Sequence, residues 1–95
     1  MRNKAQIKSQ YETIKSVETT RRLFLNDEEM RKNLENKSCE LLADLLVDIK
    51  INLNDKERFS EEYSFIREFN TDDIIGNYRT AILLLADLSQ TIGEL

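Results

Sequence analysis

The stretch "LLADLLVDIKINL", residues 41–53, decides the fold, because its apolar residues recur at helical spacing over several turns. Leu41, Leu45 and Ile49 follow one another four residues apart, and further leucines widen the same side. A face this broad belongs to a helix that is packed against others rather than one that stands alone in water. The pattern predicts a long helix inside an all-α domain.

The composition favours helices along the whole chain. Of its 95 residues, 40% are apolar and 34% are charged, and proline, the usual helix breaker, is absent. Asn-Gly and Asp-Gly pairs, which mark β-hairpins, are also missing. The length suffices for one hydrophobic core, so we expect a single helical domain over residues 1–95.

Apolar spacing and polar breaks predict four helices. The first covers residues 3–25, the second covers 27–53, and the last starts near Thr71 and stops at Gly93. The shorter third helix carries four apolar residues on one face: Phe59, Tyr63, Ile66 and Phe69. Short connections favour antiparallel neighbours, as in a four-helix bundle. The polar segment 35–38 leaves an alternative open, in which the second helix kinks or breaks near Ser38.

Capping signals indicate where two of these helices begin. Asn26 with Glu29 has the spacing of a capping box at the start of the second helix. The flanking apolar pair would form a hydrophobic staple: Leu25 and Met30. A second box, at the start of the third helix, is predicted at Asn54 and Glu57.

The pentapeptide "LLADL" occurs at residues 41–45 and again at 84–88. Sliding the chain to superpose the two copies matches little else, so they are not a structural repeat. Each is explained as a wide apolar helix face with one aspartate turned outward, because Asp44 and Asp87 lie far round the helix from the core-facing leucines. Both are expected to be solvated surface residues.

No set of residues suited to catalysis or metal binding emerges. The chain has no histidine and a single cysteine, Cys39, which excludes Ser-His-Asp and Cys-His arrangements. Gly-rich phosphate loops and C-x-x-C pairs are missing as well. We therefore expect no enzyme, catalytic residue, metal site, cofactor or small-molecule substrate. Cys39 is expected to fill space in the core, and a lone cysteine fits a reducing cytosol.

Charge is unevenly distributed along the chain. The net charge is −4, yet residues 1–25 carry six basic and two acidic side chains, whereas residues 26–95 carry eight and sixteen. The basic N-terminal segment has no apolar run behind it, and the longest apolar run, residues 81–86, is far short of the ~20 residues that cross a bilayer. We expect a soluble, cytoplasmic protein without membrane insertion.

A surface on the second and last helices is predicted to bind protein. Its members combine exposed aliphatic side chains with a row of acids four residues apart: Val47, Ile51 and Leu83, with Glu40, Asp44 and Asp48. An apolar patch rimmed by charge is typical of a protein interface. The alternative is a set of isolated exposed aliphatic residues, which soluble proteins commonly have.

A basic row runs along one side of the first helix: Lys4, Lys8, Lys15 and Arg22. Such a row can contact a nucleic-acid backbone. Because the rest of the chain is acidic, and charge rows on helices usually face solvent, nucleic acid is the less favoured partner.

The sequence thus predicts a non-enzymatic protein–protein interaction module, which forms a homodimer or binds one dedicated protein partner. Small acidic helical bundles serve as immunity proteins, antitoxins, anti-factors and adaptors, an analogy at the level of the fold alone. The alternative is a nucleic-acid-associated regulator that uses the basic row.

Overall fold

The computed structural model describes residues 3–55, 57, 59–61 and 74–95; between 74 and 81 it describes the backbone and the side chain of Tyr78. Three helices occupy most of this part of the chain: α1, Lys4–Arg22, α2, Glu28–Leu53, and α3, Ile74–Gly93. No strand occurs in these residues, so the all-α prediction is confirmed.

The four-helix bundle stays a prediction. Of the residues expected on the third helix, Phe59 lies in a turn, and Tyr63, Ile66 and Phe69 lie outside the described residues. The expected cap Thr71 also lies outside them, and the last helix is described from Ile74 onward.

Helix α1 has a capping box at its N-terminus and ends earlier than predicted. The Asn3 carboxamide accepts from the Gln6 backbone N–H, and the Gln6 side chain accepts from the Asn3 backbone N–H, each at 2.9 Å. The helix stops at Arg22 rather than residue 25, and Leu23 forms its C-cap. Ile7 and Ile14 are fully buried, and this side of the helix continues into the buried Glu18.

Helix α2 starts one residue later than the predicted cap implied. The carboxylate of Asp27 accepts from the backbone N–H of Met30, so Asp27 is the N-cap and the assignment of Asn26 is wrong. Its 26 residues give a length of about 39 Å. The alternative break near Ser38 does not occur, because Glu35 and Ser38 are buried within one continuous helix.

A left-handed residue ends α2. Asn54 adopts φ 53° and ψ 42°, a conformation that asparagine tolerates better than most residues. Asn54 is therefore a C-cap rather than the N-cap of a following helix, which corrects the predicted capping box. After it, the carboxylate of Asp55 accepts from the backbone N–H of Glu57 at 3.1 Å.

The core lies where α1, α2 and α3 meet, and α2 supplies most of it. Its fully or nearly fully buried apolar residues are Ile7, Ile14, Leu42, Leu45, Leu46, Ile49 and Leu88. Both copies of "LLADL" contribute to this core, while Asp44 and Asp87 are exposed, as predicted.

Hydrogen bonds and ion pairs between the helices show in which direction each helix runs relative to the others. Gln10 lies opposite Leu41 and Arg21 opposite Glu35, so α1 and α2 are antiparallel. The Tyr11 hydroxyl donates to the backbone carbonyl of Leu85 at 3.1 Å. The Tyr78 hydroxyl reaches Glu18, so α3 is antiparallel to α1 as well.

Candidate functional site

One line of exposed side chains follows α2 from its middle to its end. Glu40, Asp44, Val47 and Ile51 are spaced by four, three and four residues, which places them on one side of the helix. All four are exposed, and Val47 and Ile51 keep 37% and 51% of their surface in contact with solvent. This part of the predicted surface is therefore brought together by the structure.

The apolar end of this line forms an open groove of about 320 Å³, here called the α2 groove, lined by Val47, Lys50, Ile51, Asn54 and Asp55. The left-handed turn at Asn54 brings Asp55 beside the helix end. Among the described residues, its lining combines the aliphatic Val47 and Ile51 with the cation of Lys50 and the anion of Asp55. Such a lining suits an apolar side chain from a partner, with polar contacts at the rim.

Asp48 does not belong to the exposed acidic row. It is only 7% exposed, and the side chain of Asn52 donates to its backbone carbonyl at 2.9 Å. The reason is geometric: each four-residue step turns about 40° round a helix, so Asp48 lies about 80° from Glu40, toward the core. The rim of the predicted surface is reduced to Glu40 and Asp44.

Leu83 lies on a different helix from the groove. It is 65% exposed on α3, and Asp87 and Gln90 are exposed one and two turns further along. Among the described residues, the α2 groove is lined by α2 and the two residues that follow it. The structure therefore does not place Leu83 in the groove with Val47 and Ile51.

Sequence reasoning missed a second exposed apolar feature, the apolar turn at residues 23–25. Leu23, Phe24 and Leu25 are 77%, 37% and 53% exposed, and nearby Met30 is 39% exposed. Residues 23–25 had been expected in the last turn of α1, and Leu25 and Met30 in a staple. Because α1 ends at Arg22 and α2 is capped by Asp27, neither expectation holds. Three consecutive apolar residues beside a helix end were the available signal.

The basic row is exposed throughout, although two of its members have acidic neighbours. Arg22 donates to Oε1 of Glu18 at 3.2 Å, and Lys15 lies 3.9 Å from Oε2 of Glu12. Lys4 and Lys8 extend the row toward the start of the helix. A nucleic-acid backbone would therefore compete with Glu12 and Glu18 for half of the row.

A buried ionic cluster joins the three helices at the level of Glu18. Arg21 donates to both carboxylate oxygens of Glu18, at 2.8 and 2.9 Å, and the Tyr78 hydroxyl donates to Oε2. The Arg21 guanidinium lies over the Tyr78 ring, 4.5 Å from its centre. Burial raises the pKa of Glu18, but the hydrogen bonds from Arg21 and Tyr78 outweigh it and bring the pKa below its usual value.

Glu35 brings a second carboxylate into the same cluster. Its side chain is fully buried; Oε1 accepts from Arg31 at 2.6 Å, and Oε2 lies 4.0 Å from Arg21. Among the described residues, Oε2 has no hydrogen-bond partner. Burial therefore raises the pKa of Glu35 in spite of the two arginines.

The side chains of the buried ionic cluster have little contact with solvent. Glu18, Glu35 and Tyr78 are all buried, and so is Cys39 on α2, which is 6% exposed. Burial raises the pKa of the Cys39 thiol to about 12, which keeps it protonated and a poor nucleophile. We interpret the cluster as a structural tie between helices.

The described residues bear on two other kinds of site. They contain no group of three or more acidic, cysteine or histidine side chains placed to hold a metal ion. Nor do they contain a helix with the length and apolar character that crossing a bilayer requires.

No protein family model, curated protein or solved structure matches this chain. The interpretation of its surfaces therefore rests on their own geometry and chemistry. The α2 groove combines exposed apolar side chains with charged ones in its lining.

Proposed function

We propose that this protein is a non-enzymatic interaction module that binds protein through the α2 groove. The single observation that carries the proposal is the exposed pair Val47 and Ile51, set in a groove whose lining also includes Lys50 and Asp55. Full burial of a valine or isoleucine side chain contributes about 1.5–3 kcal/mol. Covering the exposed parts of these two residues would therefore supply a useful share of a binding free energy.

The charges beside the groove favour a partner with basic groups. Glu40 and Asp44 continue the line of Val47 toward the middle of α2, and both are exposed. The chain itself carries such groups, since its first 25 residues hold six basic and two acidic side chains. We therefore propose a second copy of the chain as the partner, with one dedicated protein as the other possible occupant.

The biological role remains at the level of class. A small helical module that works by binding protein fits the immunity, antitoxin, anti-factor and adaptor classes, again by analogy of fold. The buried, protonated thiol of Cys39 is compatible with the proposed place of action in the cytosol.

Val47→Lys is expected to weaken association at least about tenfold, because a buried, unpaired charge in the groove is costly to desolvate. Light scattering after size exclusion, over a wide dilution series, measures the effect. Thr13→Lys is the matched control, since Thr13 is exposed on α1 and gains the same charge. A Val47→Lys mass that matches the wild type at every dilution would remove the groove from the interface.

Leu83→Lys tests the predicted contribution of α3 separately. If Leu83 belongs to the interface, this variant loses association in the same way as Val47→Lys. A mass equal to that of the wild type removes Leu83 from the interface and leaves the groove.

The basic row supports a second candidate function, a nucleic-acid-associated regulator, because all four of its cations are exposed. Lys8→Gln combined with Lys15→Gln is expected to weaken binding to duplex DNA and to flatten its dependence on salt. The reason is that a protein with fewer cations displaces fewer counterions from the DNA when it binds. Fluorescence anisotropy at low ionic strength measures this, and wild-type protein that leaves the anisotropy unchanged rules the alternative out.

A further inference from the structure

The apolar turn is held by backbone hydrogen bonds at both of its ends. The backbone N–H groups of Leu23 and Phe24 donate to the carbonyls of Thr20 and Arg21, each at 3.0 Å. The N–H of Asp27 donates in turn to the carbonyl of Phe24 at 3.0 Å. A turn fixed in this way loses little conformational freedom on binding, so its apolar side chains can be buried at a low entropic cost.

The turn and the α2 groove lie at opposite ends of the same helix. Residues 23–25 precede the first residue of α2, whereas Val47 and Ile51 line the groove near its last turn. From Glu28 to Ile51 the helix rises about 35 Å. The turn of one molecule therefore cannot reach its own groove, and each of the two features needs a second molecule.

The size of the groove suits a turn better than a whole helix. Its volume, about 320 Å³, is at the low end of the range of about 300–1,000 Å³ for pockets that hold compact ligands. A few apolar side chains fill a space of that size. Leu23 and Leu25, the two most exposed of the turn, are candidates to do so.

The charges flanking the two features are complementary. Arg22, whose side chain is 68% exposed, immediately precedes Leu23. Asp55 lines the groove, and the exposed Asp44 lies one turn before Val47. Lys50 also lines the groove, so the match depends on Arg22 approaching on the side of the acids.

We infer that the apolar turn of one copy inserts into the α2 groove of the next, in a head-to-tail contact. This inference rests on the proposed function and names the segment that occupies the groove. A contact between two different surfaces leaves one groove and one turn free in every pair, so association continues into longer chains unless the geometry closes a ring. A symmetric dimer through α2 alone would stop at two copies.

Two variants test the inference. Leu23→Gln combined with Leu25→Gln removes the apolar turn without adding charge, and Ile51→Lys blocks the groove. Each variant alone is expected to be monomeric at concentrations where the wild type associates beyond a dimer. An equimolar mixture should form a dimer with one copy of each, because the turn of the groove variant still fits the groove of the turn variant. Far-ultraviolet circular dichroism confirms that both variants keep the wild-type helicity.

The other outcomes are distinguishable. A turn variant that associates like the wild type, beside a monomeric groove variant, overturns the head-to-tail contact and leaves the α2 groove as an interface. A mixture that stays monomeric also overturns it. If both variants associate like the wild type, the inference and the proposed groove fail together. A wild-type protein that stays monomeric overturns self-association altogether.

Discussion

Arg21→Met is expected to lower the free energy of unfolding by about 3 kcal/mol, because it removes the cation shared by two buried carboxylates. Arg21 makes two hydrogen bonds to Glu18 and lies 4.0 Å from Oε2 of Glu35. Without it, the described partners left are Arg31 for Glu35, and Tyr78 and the exposed Arg22 for Glu18. A buried charge that has lost its partner costs more than the pair contributes when intact, which accounts for the size of the effect.

Arg22→Met provides the control for this prediction. Arg22 also donates to Glu18, at 3.2 Å, but its side chain is 68% exposed. Ion pairs at such exposed positions contribute about 0–1 kcal/mol, so a small loss is expected. Urea denaturation at neutral pH measures both variants. Equal losses for Arg21→Met and Arg22→Met would contradict the interpretation of the cluster as a tie between the helices.

Leu45→Ala is expected to cost about 2–5 kcal/mol of unfolding free energy, since it opens a cavity at the centre of the core. Leu45 is fully buried, as are Leu42 and Leu46 on the same helix. The densely packed residues around Leu45 can fill only part of the space that the deleted atoms leave. The cost is therefore the lost transfer free energy of those atoms plus the cost of the remaining cavity.

Asp44→Ala is the control for this prediction, because Asp44 is next to Leu45 in the sequence but is not buried. Asp44 is exposed one position before Leu45, and its replacement by alanine should alter the free energy of unfolding by less than about 0.5 kcal/mol. Thermal and urea unfolding of the two variants give the comparison. Similar losses at both positions would show that the first "LLADL" does not face the core as described.

The all-α class and the course of α2 were predictable because they depend on patterns carried by many residues. The apolar residues of 41–53 recur at helical spacing, and the helix ends at Leu53, as the sequence predicted. The left-handed C-cap at Asn54 was taken for an N-cap, since asparagine is common in both places. Asn26 and Asp27 are both good N-cap residues, and the structure uses Asp27.

The buried ionic cluster was not predictable from single helices. In α1, Glu18 breaks the apolar side, and in α2, Glu35 and Ser38 suggested a kink. The structure brings these polar interruptions to one level, where Arg21 lies between the two carboxylates. A polar residue inside an apolar stripe indicates either the end of a helix or a polar residue that is buried with a partner. Here some of the partners lie on other helices, so the pattern of one helix alone does not reveal them.

The sequence predicted only part of the candidate surface. Val47, Ile51, Glu40 and Asp44 follow from helix geometry alone, and all are exposed. Asp48 was misplaced because a four-residue row drifts round the helix toward the core. The apolar turn was missed because α1 ends at Arg22, three residues before its predicted end.

Light scattering on the wild-type protein and on Ile51→Lys tests the central claim most directly, namely that the α2 groove is covered by a second copy of the chain. The account predicts that the wild-type mass rises above the 11.2 kDa of one chain as concentration increases, while Ile51→Lys stays at one chain. A wild-type mass of one chain at every concentration, or a variant that associates like the wild type, would contradict it.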